Sequence, residues 1–143
     1  MVSVIEFIAV LSCTLFTGAA VYINLVEHPA RMGCDTKTAA TVWAPSYKRA
    51  TVMQALLAVL SFLAGVTAWL ISQNAVWLTG AVLIGLVVPF TLIVIMPTNQ
   101  QLLTPGRDLA SDATRKLLEK WGRLHAVRSV LGLVASATYL LGY

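Results

Sequence analysis

The sequence predicts an all-α integral membrane protein: a four-helix bundle with an additional amphipathic helix at the cytoplasmic interface before the fourth span. Three observations carry that expectation. The chain of 143 residues is 58% hydrophobic and only 11% charged, far from the balance of soluble domains. Between Arg49 and Arg107 lie 57 consecutive residues without Asp, Glu, Lys or Arg, room for two bilayer spans of about 20 residues each. The ten Lys and Arg residues gather in two segments beside apolar runs rather than along a groove with interleaved aromatics, which argues against nucleic acid as a partner and for a lipid bilayer.

The spans follow in order, within a single domain over residues 1–143. The first, about residues 4–28, contains a 20-residue charge-free run from Phe7 to Val26. No Lys or Arg precedes Arg31, so this segment lacks the basic start of a secretory signal and reads as a retained helix. The second, about 50–72, and the third, about 75–97, each contain a charge-free run of 22 residues, and the turn "SQN" separates them. The fourth, about 123–143, carries His125 and Arg128 near its start, and Arg128 can snorkel to the interface. Ahead of it, "SDATRKLLEKWGRLHAVR" sets Leu117, Trp121, Leu124 and Arg128 along one helical stripe. Asp112 with Lys116, Arg115 with Glu119, and Glu119 with Arg123 are spaced i,i+4 on the wetter side.

Charge sets the orientation. Arg31, Lys37, Lys48 and Arg49 follow span one; Arg107, Arg115, Lys116, Lys120 and Arg123 precede or open span four; the termini and the "SQN" turn carry none. The positive-inside rule then puts both long loops in the cytoplasm and both termini outside, with a bacterial inner membrane the expected location. Cys13 lies within the first apolar run and Cys34 beyond it, so both are expected as free thiols. Small-residue pairs Ser61/Gly65, Ala81/Gly85 and Gly132/Ser136 offer close-packing faces and make a homo-oligomer plausible.

The polar residues need a separate reason. In "YINLVEHPARM", Asn24 precedes Glu27 and His28 by about one helical turn, and Pro29 obliges the helix to end or kink there. Trp43, Tyr47 and Gln54 lead into span two, Asn99 follows span three, and Trp121, His125 and Arg128 recur at i, i+4, i+7. All four helices thus bring hydrogen-bonding groups to one end of the bundle, where buried polar groups in lipid are costly and mark a functional site. The plainer alternative assigns Trp43, Tyr47 and Trp121 to an aromatic belt and Arg128 to a phosphate anchor. A metal or haem iron held by His28 and His125, with Glu27 as a carboxylate ligand, is a further alternative, although no metal-binding spacing is present.

The stretches "EHPA", "WAPSYKRATVMQ", "PFTLIVIMPTNQQL" and "LLEKWGRLHAVRSVLG" resemble the small integral-membrane anthrone oxygenase-like family, from about Tyr22 to the C-terminus. The resemblance implies a four-helix membrane bundle and, as in the polyketide-pathway members, oxidation of an anthrone methylene to the quinone. Oxygen would be the cosubstrate and no metal or flavin would be needed. On that model His125 or His28 is the base and Glu27 orients or tunes a histidine. Arg128 and Asn99 stabilise the phenolate-like anion, and Trp121, Trp43 and Tyr47, with Asn24 and Gln54, line the site of a lipophilic aromatic or quinol-like substrate. The rival function is a non-catalytic membrane protein that binds a lipid, quinone or partner subunit in the same cleft.

Overall fold

The computed structural model describes residues 3–143. Four helices are long and apolar enough to cross a membrane: α1 (Val4–Met32), α2 (Thr36–Ser72), α3 (Ala75–Leu102) and α4 (Asp112–Gly142). They run up and down in sequence order, α1 packing on α2 and α4, and α3 on α2 and α4, so the bundle is a closed square. Among the described residues there is no strand.

Each helix starts on a side-chain cap. Ser3 and Glu6 form a reciprocal capping box at α1, Asp35 accepts from the Thr38 amide at α2, Asn74 from Val76 at α3, and Ser111 from Thr114 at α4. Hydrogen bonds from the Thr38 side chain and amide hold the Asp35 carboxyl below its ordinary pKa. The turn between α2 and α3 is two residues, with Gln73 in the left-handed conformation (φ 56°).

The helices outrun the sequence-predicted spans. At 37 residues, α2 is about 55 Å long by the 1.5 Å rise per residue, well beyond the roughly 30 Å of hydrocarbon. It begins at Thr36 rather than near residue 50, because hydropathy registers the hydrocarbon layer and not the wetter turns that continue past it. The first long loop shrinks to Gly33–Asp35, and the bundle projects beyond the membrane at what we term its loop end. The amphipathic helix expected before span four is the first part of α4, continuous with the span. Its buried stripe runs through Thr114, Leu118, Trp121, His125 and Arg128, with Leu117 and Leu124 half-buried against the same core. Of the three expected i,i+4 pairs, Arg115 with Glu119 closes, at 3.9 Å. The same guanidinium donates to the Met32 carbonyl at 2.7 Å and to that of Cys34 at 3.3 Å, closing the frayed end of α1.

Pro29 does not end α1. A π-helical turn, Ile23–Glu27, precedes it, and the His28 amide reaches back five residues to the Ile23 carbonyl. The register change lets helix resume over His28–Met32 with Pro29 in its first turn, where a missing N–H costs nothing. The same device recurs in α3, which therefore passes residue 97: a π turn at Thr91–Ile95 delivers Pro97 into the first turn of Met96–Leu102.

Two apolar cores fill the bundle. Toward the α2–α3 turn, Tyr139 lies on Gly65 and Gly80 and donates to the Ser61 carbonyl at 3.2 Å. A Cβ on Gly65 would stand 2.0 Å from the Tyr139 hydroxyl oxygen, so glycine is required by close approach. The predicted small-residue pairs are used inside the bundle: Ser136 meets Thr17 at 2.9 Å and the buried thiol of Cys13 at 3.4 Å. Cys34 is exposed, and both cysteines are free. The second core, at the loop end, is built on Ile23, Trp43, Ile95, Leu118 and Trp121. Large apolar side chains such as Leu56, Ile71, Ile93 and Val130 point outward, as a lipid-facing surface requires.

Candidate functional site

A layer of buried polar side chains lies at the border of the two cores. The π turn of α1 aims Asn24 at α4, where its Nδ2 donates to the Gly122 carbonyl at 3.0 Å. That bond fixes the amide orientation, so Oδ1 faces His125 Nδ1 at 2.7 Å and accepts from the Ser129 hydroxyl at 2.6 Å. An amide oxygen only accepts, so His125 Nδ1 is the donor, and in the neutral imidazole that leaves the lone pair on Nε2. The imidazole is 2% exposed and lines a narrow cleft with Arg31, Tyr47, Gln54, Trp121 and Arg128.

Arg128, one turn further along α4, is 7% exposed. Its Nη2 donates to Gln54 Oε1 at 2.7 Å, and the guanidinium carbon lies 5.6 Å from the centre of the Phe16 ring. No carboxylate pairs with it among the described residues, whose ion pairs are Arg31–Glu27 and Arg115–Glu119. Arg128 Nε and Gln54 Nε2 are buried donors without a partner. A buried cation beside a free amide donor is an electrostatic site for an oxygen anion, because an unpaired charge in low dielectric gains most from an opposite one.

Aromatic rings form the wall on the loop side. Trp43 and Tyr47 stack at 4.9 Å, Trp121 meets Trp43 edge-on at 5.8 Å, and His125 packs on Trp121 at 4.9 Å. Asn99, carried by the last turn of α3, donates to the Tyr47 hydroxyl at 3.1 Å, so it positions that phenol rather than reaching Arg128. The Asn99 Oδ1 and the hydroxyl of neighbouring Thr98 remain without partners.

Neither Glu27 nor His28 lines this cleft, although the partners of Glu27 do. Glu27 bonds with Arg31 and with the Ser46 hydroxyl on α2. The partner of the cleft histidine is thus Asn24 rather than Glu27. His28 packs 5.1 Å from the Trp121 ring, fits where Gly122 has no Cβ, and opens into a separate groove with Arg115 and Arg123. The two histidines accordingly line different clefts, and among the described residues no three His, Cys, Asp or Glu come together as a metal-binding group. Sequence reasoning missed Arg31, Ser46 and Ser129. Arg31 and Ser129 stand four residues after Glu27 and His125, a helical spacing that was visible, whereas Ser46 joins only through the packing of α1 on α2.

The cleft beside His125 has room for about one water-sized group. Across Tyr47, Thr51, Gln54 and Arg128 it borders a second chamber of about 120 Å³ between α2 and α3, whose other walls are apolar but for Thr91, whose hydroxyl donates to the Val87 carbonyl. The polar groups therefore stand at one end of an apolar space, the arrangement of a site for a lipophilic molecule with a polar edge.

The family model for anthrone oxygenase matches residues 43–138, about two thirds of the chain, and the protein belongs to that family. The matched stretch includes Trp43, Tyr47, Gln54, Asn99, Trp121, His125 and Arg128, while Asn24, Glu27 and His28 precede it. Neither the curated proteins nor the solved structures contain a match to the chain.

Proposed function

We propose that the protein is a membrane oxygenase that uses O2 to oxidise a lipophilic aromatic of the anthrone or quinol type at the His125–Arg128 cleft. The observation that carries this reading is a buried histidine bonded to Asn24 in a narrow cleft beside the apolar chamber, with an unpaired buried guanidinium one turn away that lines both spaces: a base next to the chamber and an anion holder at its end. Family membership supports the reaction class.

In this mechanism His125 Nε2 removes a proton from the ring methylene through one water in the narrow cleft that separates it from the chamber. The charge delocalises onto the ring oxygen, where Arg128 and Gln54 Nε2 donate to it, while Tyr47, backed by the stacked Trp43, flanks the ring. The electron-rich carbanion reduces O2 and forms a carbon–oxygen bond, giving a hydroperoxide after His125 returns its proton. Loss of the second methylene proton with cleavage of the O–O bond yields the carbonyl and water. The balance is one methylene plus O2 to one carbonyl plus H2O, and the substrate supplies all the electrons. Asn24 is a positioning residue, since it acts only through His125.

Nine of the ten Lys and Arg residues lie at or near the loop end, which favours that end as the cytoplasmic one in a bacterial inner membrane. The deciding experiment is oxygen uptake and quinone formation by detergent-purified protein supplied with a simple anthrone, alongside metal analysis and an absorption spectrum. Turnover that is lost in His125→Gln, with stoichiometric metal and a Soret band both absent, is the expected result. No uptake above the uncatalysed rate, or uptake that persists in His125→Gln, would overturn the assignment.

A further inference from the structure

On the outer face of the same two helices, a groove of about 460 Å³ runs along α2 and α3, lined by Ala58, Phe62, Gly85, Val88 and Pro89 among others and almost wholly apolar. Gly85 keeps this side of α3 low, since a Cβ there would meet the Phe62 ring at 2.8 Å. Ala58 and Val88 line both this groove and the inner chamber, so the two spaces adjoin. Their far end is polar: Tyr47, Thr51, Gln54 and Arg128.

We propose that this groove is a lateral entry and binding site, open to the bilayer, for a lipophilic phenol or enol whose hydrocarbon body lies between α2 and α3 and whose acidic oxygen meets Arg128. The proposal rests on the oxygenase reading for the ligand's later fate, but not for its binding. Phe62, Val59, Val82 and Leu86 are exposed at the rim on apolar stretches, so the mouth faces lipid tails rather than water. An acyl chain satisfies those walls and leaves the inner end unanswered, because Arg128 Nε and Gln54 Nε2 still lack an acceptor. A phosphodiester would have to carry its fixed charge through an apolar mouth to reach that end. A ring with one ionisable oxygen meets both demands. The same geometry makes Val88, at the junction, the residue that sets how wide a ring passes.

The test is saturable binding of tritiated 2,6-dibromo-4-nonylphenol, and of its methyl ether, to the protein in phosphatidylcholine nanodiscs, measured above empty nanodiscs. The phenol is expected to bind at least 10-fold more tightly than the ether. Arg128→Met should erase that preference, and Val88→Trp should weaken both ligands about 10-fold. Leu133→Trp, on the lipid face of α4, should change neither. Val59→Trp, at the exposed rim, gives the same readout should Val88→Trp fail to fold. Equal affinity for phenol and ether would mean that the groove holds acyl chains alone and would overturn the proposal, as would undiminished binding in both groove variants. Binding as described without oxygen uptake would remove the oxygenase reading and leave the entry site standing. Oxygen uptake without such binding would do the reverse.

Discussion

Replacing Asn24 with alanine removes three hydrogen bonds at once, to the Gly122 carbonyl, His125 Nδ1 and the Ser129 hydroxyl. All three join α1 to α4. Interhelical hydrogen bonds in membranes average about 0.6 kcal/mol and reach about 1.7, so the set is worth about 2 kcal/mol. The imidazole is then free to rotate and to take the other tautomer, which places a proton where the mechanism needs a lone pair. A base displaced by about 1 Å costs roughly 10²-fold in rate, and kcat should fall by that order with KM nearly unchanged. Asn24→Asp keeps an acceptor for Nδ1 but loses the donor to Gly122, so it should recover most of kcat and little of the stability. Unfolding in mixed detergent micelles and initial rates of oxygen uptake read the two effects separately. Full kcat in a folded Asn24→Ala protein would refute the claim that this amide sets the tautomer.

Other perturbations follow from the same geometry. Gly65→Ala should destabilise the bundle by about 1–3 kcal/mol through overpacking, and by clearly less in a Tyr139→Phe background, because the clash is with the hydroxyl; detergent unfolding of the four proteins measures the difference. Arg128→Lys should not restore the activity lost in Arg128→Met, since a single ammonium cannot serve Gln54 and a ring oxygen together; steady-state rates of both variants decide this. Cys34 should react with a membrane-impermeant maleimide only from the cytoplasmic face, and Cys13 from neither; labelling of right-side-out and inverted vesicles checks the orientation. The Asp35 cap stabilises the start of α2 through its carboxylate, whose pKa is lowered in the folded protein. That contribution is present above the ordinary pKa of about 4 and is lost as pH falls through the lower folded value; an Asp35→Ala protein should lack this acid-limb change in unfolding midpoint.

The spans were legible because lipid forbids charge and exposed backbone: runs such as Ala75–Met96 have no other stable use. Their true ends were not, because caps rather than hydropathy set them. The Asp35–Thr38 signal that starts α2 lies in a polar stretch that reads equally well as loop. Pro29 reads as an end or a kink, and span three reads no further than residue 97, because a sequence does not display the π turns that carry each helix past its proline. The convergence of Asn24, Gln54, His125 and Arg128 was visible as a shared end of the bundle. Their pairing was not, because helix rotation decides it. A single extra residue in the π turn of α1 places Asn24 beside His125 and sends Glu27 toward Arg31 and Ser46. The two histidines, equivalent as letters, are separated by the bulk of Trp121, on which both pack.

The partners of Asn24 and of Gln54 Oε1 all reside on α4, which leaves the ribosome after the other three described helices. Until it inserts, the first three helices sit in the bilayer with two side-chain amides that lack those partners, and unpartnered polar groups are costly in lipid. When α4 arrives, its own buried His125 and Arg128 meet those same amides, so each half relieves the other. A chain truncated before α4 therefore lacks both the site and the groups that make its buried amides tolerable in lipid. Completion of the fold and completion of the site are one event.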